Sequence, residues 1–421
     1  MQVIAKHAEQ QLDLFDSYFS FVGINEAPST FQRWGLISMI GAVLARQVYI
    51  EFGHGNIYPN QYILFTGSPG TRKGTPIGVV KRLLANLEYR HIAPNKASKE
   101  AFWDWMARKS QLDLADDTEN MLDWDMDEQT PTEAYIAHDE FLDFVGIGDD
   151  ALVTNLTNLW DNLPFYDNPK TRGKSIKIHA PTINILSGMT PHGIASAFRS
   201  LATGGGFFSR VLFIYSNPTG RKITFPSKPN ESVRHSIMNH MVDIAELSGK
   251  VIISKQIEHI LDRMYQEAPT FPDPRFQYYT QRRLTHLLKL IIIVTASRLS
   301  LEPTEEDCIL ANTILHVAEL QMPNALGEYG KSRYSEVSNA IIEHLNHVAY
   351  ADFQSIYKIV RRDVAKINDV REILSGLEEA DKIQKTKRNG KLIYLANNEV
   401  KYLWPDGLID LSLLRDDEHG E

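Results

Sequence analysis

The chain has 421 residues, 43% of them hydrophobic and 23% charged, the balance of an ordinary globular protein with a sizeable core. Its formal net charge of −9 argues against a surface broadly coated for nucleic acid, and its single cysteine, Cys308, excludes internal disulfides and cysteine-based zinc sites. No apolar run approaches the roughly 18–20 residues that cross a bilayer, and Met1 to His7 carry no secretory core, so a cytoplasmic protein without a membrane partner is expected.

Residues 1–60 read as a helical segment. Leu12, Phe15, Phe19 and Val22 recur at helical spacing, and a second helix runs from Phe31 to Arg46 with Ser29 or Thr30 as its N-cap. Val48 to Phe52 is a short strand before the turn Gly53-His-Gly-Asn. From Tyr62 the pattern becomes strand, turn, helix, with strands expected at 62–66, 134–137, 182–186 and 210–215. Short buried strands interleaved with helices imply an α/β core over 61–230, its sheet covered on both faces. The stretch from Leu112 to Thr130 holds eight carboxylates and no Lys or Arg, the composition of a solvated acidic loop, with a metal site or contact surface as the alternatives. Ser227-Lys-Pro-Asn is an exit linker to a helical lid at 231–330. Residues 331–400 read helix, helix, helix, hairpin, the order of a winged helix, and 401–421 read as an acidic tail.

Gly67-Ser-Pro-Gly-Thr-Arg-Lys-Gly-Thr75 follows a buried strand and precedes a helix, where successive N–H groups and a helix N-terminus can cradle phosphate. Gly67, Pro69, Gly70, Thr71 and Lys73 fit the phosphate-loop pattern G-x-x-x-x-G-K-[ST]. Arg72 stands where the pattern has Gly, and Gly74 where it has a hydroxyl. Thr75, one residue on, is the candidate hydroxyl for magnesium if the turn tightens at Gly74. The plainer reading is a Gly/Pro turn with exposed basic residues. Downstream, the strand Ala134–Ala137 leads through His138 to Asp139-Glu140, a pair suited to hold hydrated Mg²⁺ and to polarise an attacking water. An acidic strand end is the alternative.

Taken in this order, the phosphate loop and carboxylate pair resemble those of AAA+ ATPases, especially the helicase branch that includes the minichromosome-maintenance helicases. They resemble still more the ATPases of phage and plasmid replication modules, through Ala27-Pro28, Phe31, Trp34, Ile57-Tyr-Pro-Asn-Gln-Tyr and the Arg-Lys-Gly-Thr loop, over about residues 27 to 320. The resemblance implies an ATP- and Mg²⁺-dependent enzyme. It makes Thr190, before Pro191, the sensor of the γ-phosphate, with Ser187 as runner-up and a capping hydroxyl as the alternative. It makes Arg210, in Phe208-Ser-Arg, a residue that reaches a neighbouring subunit's nucleotide, with Arg199 in competition and a structural ion pair as the alternative. It puts Arg282 on the γ-phosphate, with Arg283 as the substitute.

Tyr166 to Ile178 reads as a β-hairpin with Lys170, Arg172 and Lys174 on or near its tip. The resemblance places such hairpins in the pore of a hexameric ring, on the backbone of single-stranded DNA. Lys385, Lys387 and Arg388 flank Asn389-Gly390 at the tip of the expected wing, which suits either DNA or a replication protein. A ring-forming DNA translocase or helicase is the leading expectation. An ATP-dependent helicase loader or regulator, or a scaffold that binds nucleotide without hydrolysing it, is the alternative.

Overall fold

The computed structural model describes residues 13–94, 99–116, 131–146, 150–168, 176–197, 206–269, 271, 273–326, 335–348, 350–364, 366–379, 382–388, 391–396 and 404–414. They fall into two compact units, one drawing on Met1–Ala268, Arg275–Gly327 and Trp404–Glu421, the other on Pro269–Pro274 and Glu328–Leu403.

The larger unit opens with α1 (Leu14–Val22), whose N-cap Asp13 accepts from the Asp16 N–H at 3.0 Å. In α2 (Ser29–Leu44) the N-cap is Pro28 rather than Ser29 or Thr30, and no side chain bonds the first turn. Proline has no N–H to leave unpaired and a fixed φ that suits a helix entrance. β1 (Val48–Phe52) and β2 (Gly55–Ile57) form an antiparallel hairpin. β3 (Tyr62–Thr66), α3 (Gly74–Asn86), α4 (Lys99–Asp116), β4 (Glu133–His138), α5 (Phe141–Val145) and α6 (Asp150–Leu159) follow. The hairpin β5 (Phe165–Asn168) and β6 (Ile176–His179) leads to β7 (Thr182–Met189), α7 (Pro191–Ala197) and β8 (Leu212–Tyr215).

The fold class is mixed α/β. β4, β7, β3 and β8 lie side by side in that order, all parallel. Every residue of β3 and β7 is buried, which requires cover on both faces of the sheet. α2 and α3 pack on β7, and α12 (Glu305–Leu326) packs on β8. The fourth strand begins at Leu212, two residues later than expected, because Phe208–Arg210 makes a 3₁₀ turn.

The helical stretch holds α8 (Glu231–Ala245), α9 (Lys255–Gln266), α10 (Gln277–Thr280), α11 (Arg283–Ala296) and α12, with β9 (Gly249–Lys250) pairing in parallel with β1. In α11 every residue from His286 to Ala296 is buried, Lys289 included. No helix among the described residues is long and apolar enough to cross a membrane.

The expected acidic tail is also corrected. Trp404–Leu414 returns to the larger unit, where the Arg283 guanidinium lies 4.5 Å over the Trp404 ring. Asn312 Nδ2 donates to Leu408 O at 2.7 Å, and Asp410 N donates to Thr313 Oγ1 at 3.0 Å.

The smaller unit runs α13 (Ser335–Val348), β10 (Ala351–Asp352), α14 (Phe353–Val360), α15 (Ile367–Glu379), β11 (Ile383–Arg388) and β12 (Lys391–Ala396). Its sheet has the order β10-β12-β11, all antiparallel. Val337, Ile341, Ile356, Val370, Leu374 and Ile383 share its core. Helix, helix, helix, hairpin is the observed order, with β10 added between the first two helices.

Candidate functional site

All four sheet strands end on the same edge, and the predicted phosphate loop, the carboxylate pair and Thr190 follow β3, β4 and β7 there. The chain leaves β3 at Gly67, where close approach dictates the residue. A Cβ on Gly67 would lie 2.5 Å from Ser216 O and 2.9 Å from Thr71 Oγ1. Buried Thr71 closes the turn, its hydroxyl donating to Ser68 O at 2.6 Å. The Lys73 ammonium folds back across the turn and donates to Gly67 O at 2.9 Å and Ser68 O at 3.3 Å. α3 begins at Gly74 with no side-chain cap and no acidic residue in its first turn, so its N-terminal dipole is not offset by an anion of its own helix.

The two departures from the motif now have physical content. Arg72 adopts φ +61°, the left-handed conformation for which the motif supplies glycine. A non-glycine residue there costs about 1–2 kcal/mol. Arg72 is held by Glu26: its Nε donates to Glu26 Oε2 at 2.7 Å, Nη2 pairs with the same oxygen, and Glu26 Oε1 accepts from Ile223 N at 2.8 Å. Those bonds, the one from Ile223 first, hold the Glu26 carboxyl below its ordinary range. Gly74, in turn, lies against Asp139. A Cβ on Gly74 would stand 3.3 Å from Asp139 Cγ and Oδ1, so a serine or threonine there would crowd the carboxylate. Thr75, the substitute hydroxyl, is exposed, and its N–H donates to Arg72 O at 3.1 Å. Pro69 and Gly70 are exposed on the outer turn, Gly70 at φ +89°.

Glu140 and Lys73 face each other electrostatically. Burial raises the Glu140 pKa, with Lys73 opposing the shift and Asp143 adding to it. Burial lowers the Lys73 pKa, with Glu140 opposing. Gly188, on β7 between the loop strand and the carboxylate strand, is the residue that sequence reasoning missed. A Cβ there would lie 2.3 Å from Asp139 O and 3.4 Å from Lys73 Cβ. The available signal was a glycine in the interior of an apolar strand, which marks close backbone approach. Ser187 donates to His138 O at 2.6 Å and fastens β7 to β4. Thr190 Oγ1 accepts from Gly193 N at 3.0 Å, so it caps α7, the role weighed as its alternative.

Arg210 and Arg282 come together, but not at the loop. Arg210 stands before the start of β8, five residues ahead of Tyr215, which is in register with Thr66. At about 3.3 Å per residue this is the opposite edge of the sheet, about 16 Å from the loop end. There Arg210 Nη2 meets Asp161 Oδ2 at 2.5 Å and Arg282 Nη1 meets Asp161 Oδ1 at 3.0 Å. Arg282, expected on a γ-phosphate, is thus paired with Asp161 and lies away from the phosphate loop of its own chain. The Arg210 side chain is only 10% exposed. Trp160 packs beneath both guanidinium groups and 4.5 Å from Lys289 Nζ. Buried Lys289 donates to Tyr58 O at 2.9 Å and bonds Asn60 Oδ1, and burial drives its pKa well down. His286 meets Ser209 O at 2.9 Å, and burial pushes its pKa down to about 3. Arg283, the substitute for Arg282, is buried on Glu319 and Asn312.

Lys170, Arg172, Lys174 and Arg199 lie outside the described residues. The strands of the predicted hairpin are present, antiparallel from Phe165↔His179 to Asn168↔Ile176. Lys385 and Lys387 are exposed on β11, and Arg388 ends that strand opposite Lys391. Around α1 and the start of α2, a cleft of about 830 Å³ is lined by Phe19, Asn25, Ala27, Gln32, Arg33 and Arg221 among others, and by no residue of the turn 67–75. Asn25 and Ala27 flank the Glu26 that grips Arg72. No known family profile matches the chain, and no curated protein matches it in sequence.

Proposed function

We propose that the chain is a magnesium-dependent ATPase with its phosphate site in the turn Gly67–Thr75. The observation that carries this reading is the Lys73 ammonium folded onto the Gly67 and Ser68 carbonyls at an α3 N-terminus, with Asp139-Glu140 on the same sheet edge. One strand stands between the loop strand and the carboxylate strand, and ligands of open α/β sheets bind outside such strand ends. On phosphate entry Lys73 exchanges its carbonyl partners for β- and γ-phosphate oxygens, and the first-turn N–H groups of α3 add donors. Asp139, with Thr75 as the hydroxyl, would hold magnesium, which supplies the charge that neutralises phosphate oxygens in transfer. Glu140 orients a water and takes its proton, and half-burial suits it to that work by raising its basicity. Thr190 accepts from Gly193, which leaves its own proton to donate toward the γ-phosphate side. The 830 Å³ cleft beside Glu26 has the size and mixed lining that suit a nucleoside.

Within this reading the finer function is a ring-forming DNA translocase or helicase of the AAA+ type, of the kind found in phage replication modules. Arg210 and Arg282, on the far edge, can serve only a neighbour's nucleotide, so their use requires a homo-oligomer, a hexameric ring in the related enzymes. The 165–179 hairpin would carry Lys170, Arg172 and Lys174 to single-stranded DNA, and the smaller unit would serve as a winged helix for DNA or a replication protein. One observation favours the second reading, a nucleotide-dependent loader or scaffold: Asp161 holds both arginines inside the same chain.

ATP hydrolysis by the purified chain with and without single-stranded DNA, beside Lys73→Ala and Glu140→Gln, decides between them. Turnover that rises several-fold with DNA and vanishes in both variants supports the motor. Nucleotide binding with negligible turnover selects the switch or scaffold, and no nucleotide binding overturns the ATPase reading.

A further inference from the structure

The segment after β8 touches the phosphate loop twice. It begins at Ser216, whose carbonyl fills the space where a Gly67 Cβ would stand. It then runs along residues 23–27: Thr219 Oγ1 donates to Glu26 O at 2.9 Å, and Ile223 N donates to Glu26 Oε1 at 2.8 Å. Arg221 Nη1 donates to Asn25 O at 3.4 Å, and Ser227 Oγ occupies the space beside Gly23. The Glu26 carboxylate therefore has one oxygen on this strap and the other on Arg72. Arg72 is the loop residue whose left-handed backbone a glycine would adopt unaided.

We propose that Glu26 is the positioning residue of the phosphate loop: it fixes Arg72 in the left-handed turn that sets Lys73, and it couples that turn to the strap 216–227. The proposal rests on the reading of 67–75 as a nucleotide site. It explains how the chain keeps a phosphate-loop geometry without the motif's second glycine, by replacing intrinsic backbone freedom with an external carboxylate. It also gives the loop a line of communication, because any ligand that draws the Arg72 guanidinium toward phosphate takes it from the carboxylate that anchors Ile223. Glutamine cannot substitute. Its single side-chain oxygen satisfies either Arg72 or Ile223 N, and its amide nitrogen faces the other donor.

The test uses the full chain and four proteins: wild type, E26Q, R72G and the double variant. The readouts are magnesium–ATP affinity, from titration with a fluorescent ATP analogue, and amide hydrogen exchange of 67–75 and 216–227 without nucleotide. E26Q is expected to weaken affinity about tenfold, the equivalent of one charge-assisted hydrogen bond, and to speed exchange in both segments. R72G sets its own reference affinity, and E26Q added to it should cost less than about twofold, since a glycine needs no restraint. Equal losses from E26Q in both backgrounds would overturn the proposal, because Glu26 would then act other than through Arg72. Unchanged affinity and unchanged exchange in E26Q would overturn it as well. If the wild type binds no ATP while E26Q still loosens both segments, the nucleotide reading fails and the fastening of loop to strap stands.

Discussion

The two edges of the parallel sheet carry similar charges and treat them in opposite ways. On the edge that ends β3, β4 and β7, the Lys73 ammonium bonds main-chain carbonyls and stays half-exposed, with Glu140 facing it and Asp139 at the surface. On the opposite edge Arg210 and Arg282 share Asp161, Lys289 is buried on Asn60 and Tyr58, and Arg46 bonds Thr182, Leu163 and Pro181. A cation held by neutral carbonyls exchanges them readily for a charged ligand. One held by a carboxylate and an indole face must first be released from them. Under the ATPase reading the first edge would exchange ligands, while the second edge holds the chain together through Asp161.

The contrast breaks first at Lys73. Under the ATPase reading, Lys73→Ala should lower kcat/KM by about a hundredfold or more, while the melting temperature stays near wild type. A comparable loss of activity explained by unfolding in the melt would remove Lys73 from the chemistry. Gly188→Ala comes next, with a destabilisation of about 1–3 kcal/mol, because the new methyl must displace the Asp139 carbonyl. Denaturant titration measures it, and an unperturbed midpoint would mean that the two strands separate more easily than their packing implies. Asp161→Asn should cost about 1–2 kcal/mol, since Arg210 loses its anion while the exposed part of Asp161 limits the penalty. If instead that variant is stable and hydrolyses ATP faster in an oligomer, the second edge is a reserve of catalytic arginines.

The smallest effect is a pH dependence. The Glu140 pKa is raised in the folded chain. Ionising it therefore takes stability away as pH rises through that raised value, and its penalty is absent below the ordinary carboxylate range. Glu140→Gln should melt slightly above wild type at pH 7 and match it at pH 4. The acidic limb of the wild-type activity profile should lie above the pH at which an ordinary glutamate titrates. A variant that melts lower at pH 7 would show that attraction to Lys73 outweighs burial.

Much of the first edge was legible in the sequence, because loop, strand and helix there are contiguous and each is stamped by local pattern. Tyr62–Thr66, the glycines after it and the apolar stripe of α3 are local signals. The second edge was not, since Asp161 lies 49 residues from Arg210 and 121 from Arg282. No periodicity links such positions, and only the strand order brings them together. Glu26 escaped for the same reason, 46 residues from Arg72. Lys289 sits within the apolar run Leu287–Ala296, all of it buried, and only the distant Asn60 and Tyr58 show how its ammonium is accommodated. The expected tail was misread because its acidic end obscured Trp404 and Leu408, both of which are buried.

That last segment changes what the smaller unit is. Because Trp404–Leu414 re-enters the larger unit and seats on α12, residues 335–396 form an insertion with both ends anchored in the larger unit. Cutting the chain at 403 would remove more than an appendage: it would uncover Arg283 and take the Leu408 carbonyl from Asn312. A break in the N-terminal junction would leave the unit held only through the non-covalent seat of Trp404–Leu414, whereas a break in the C-terminal junction would leave it covalently attached to the larger unit.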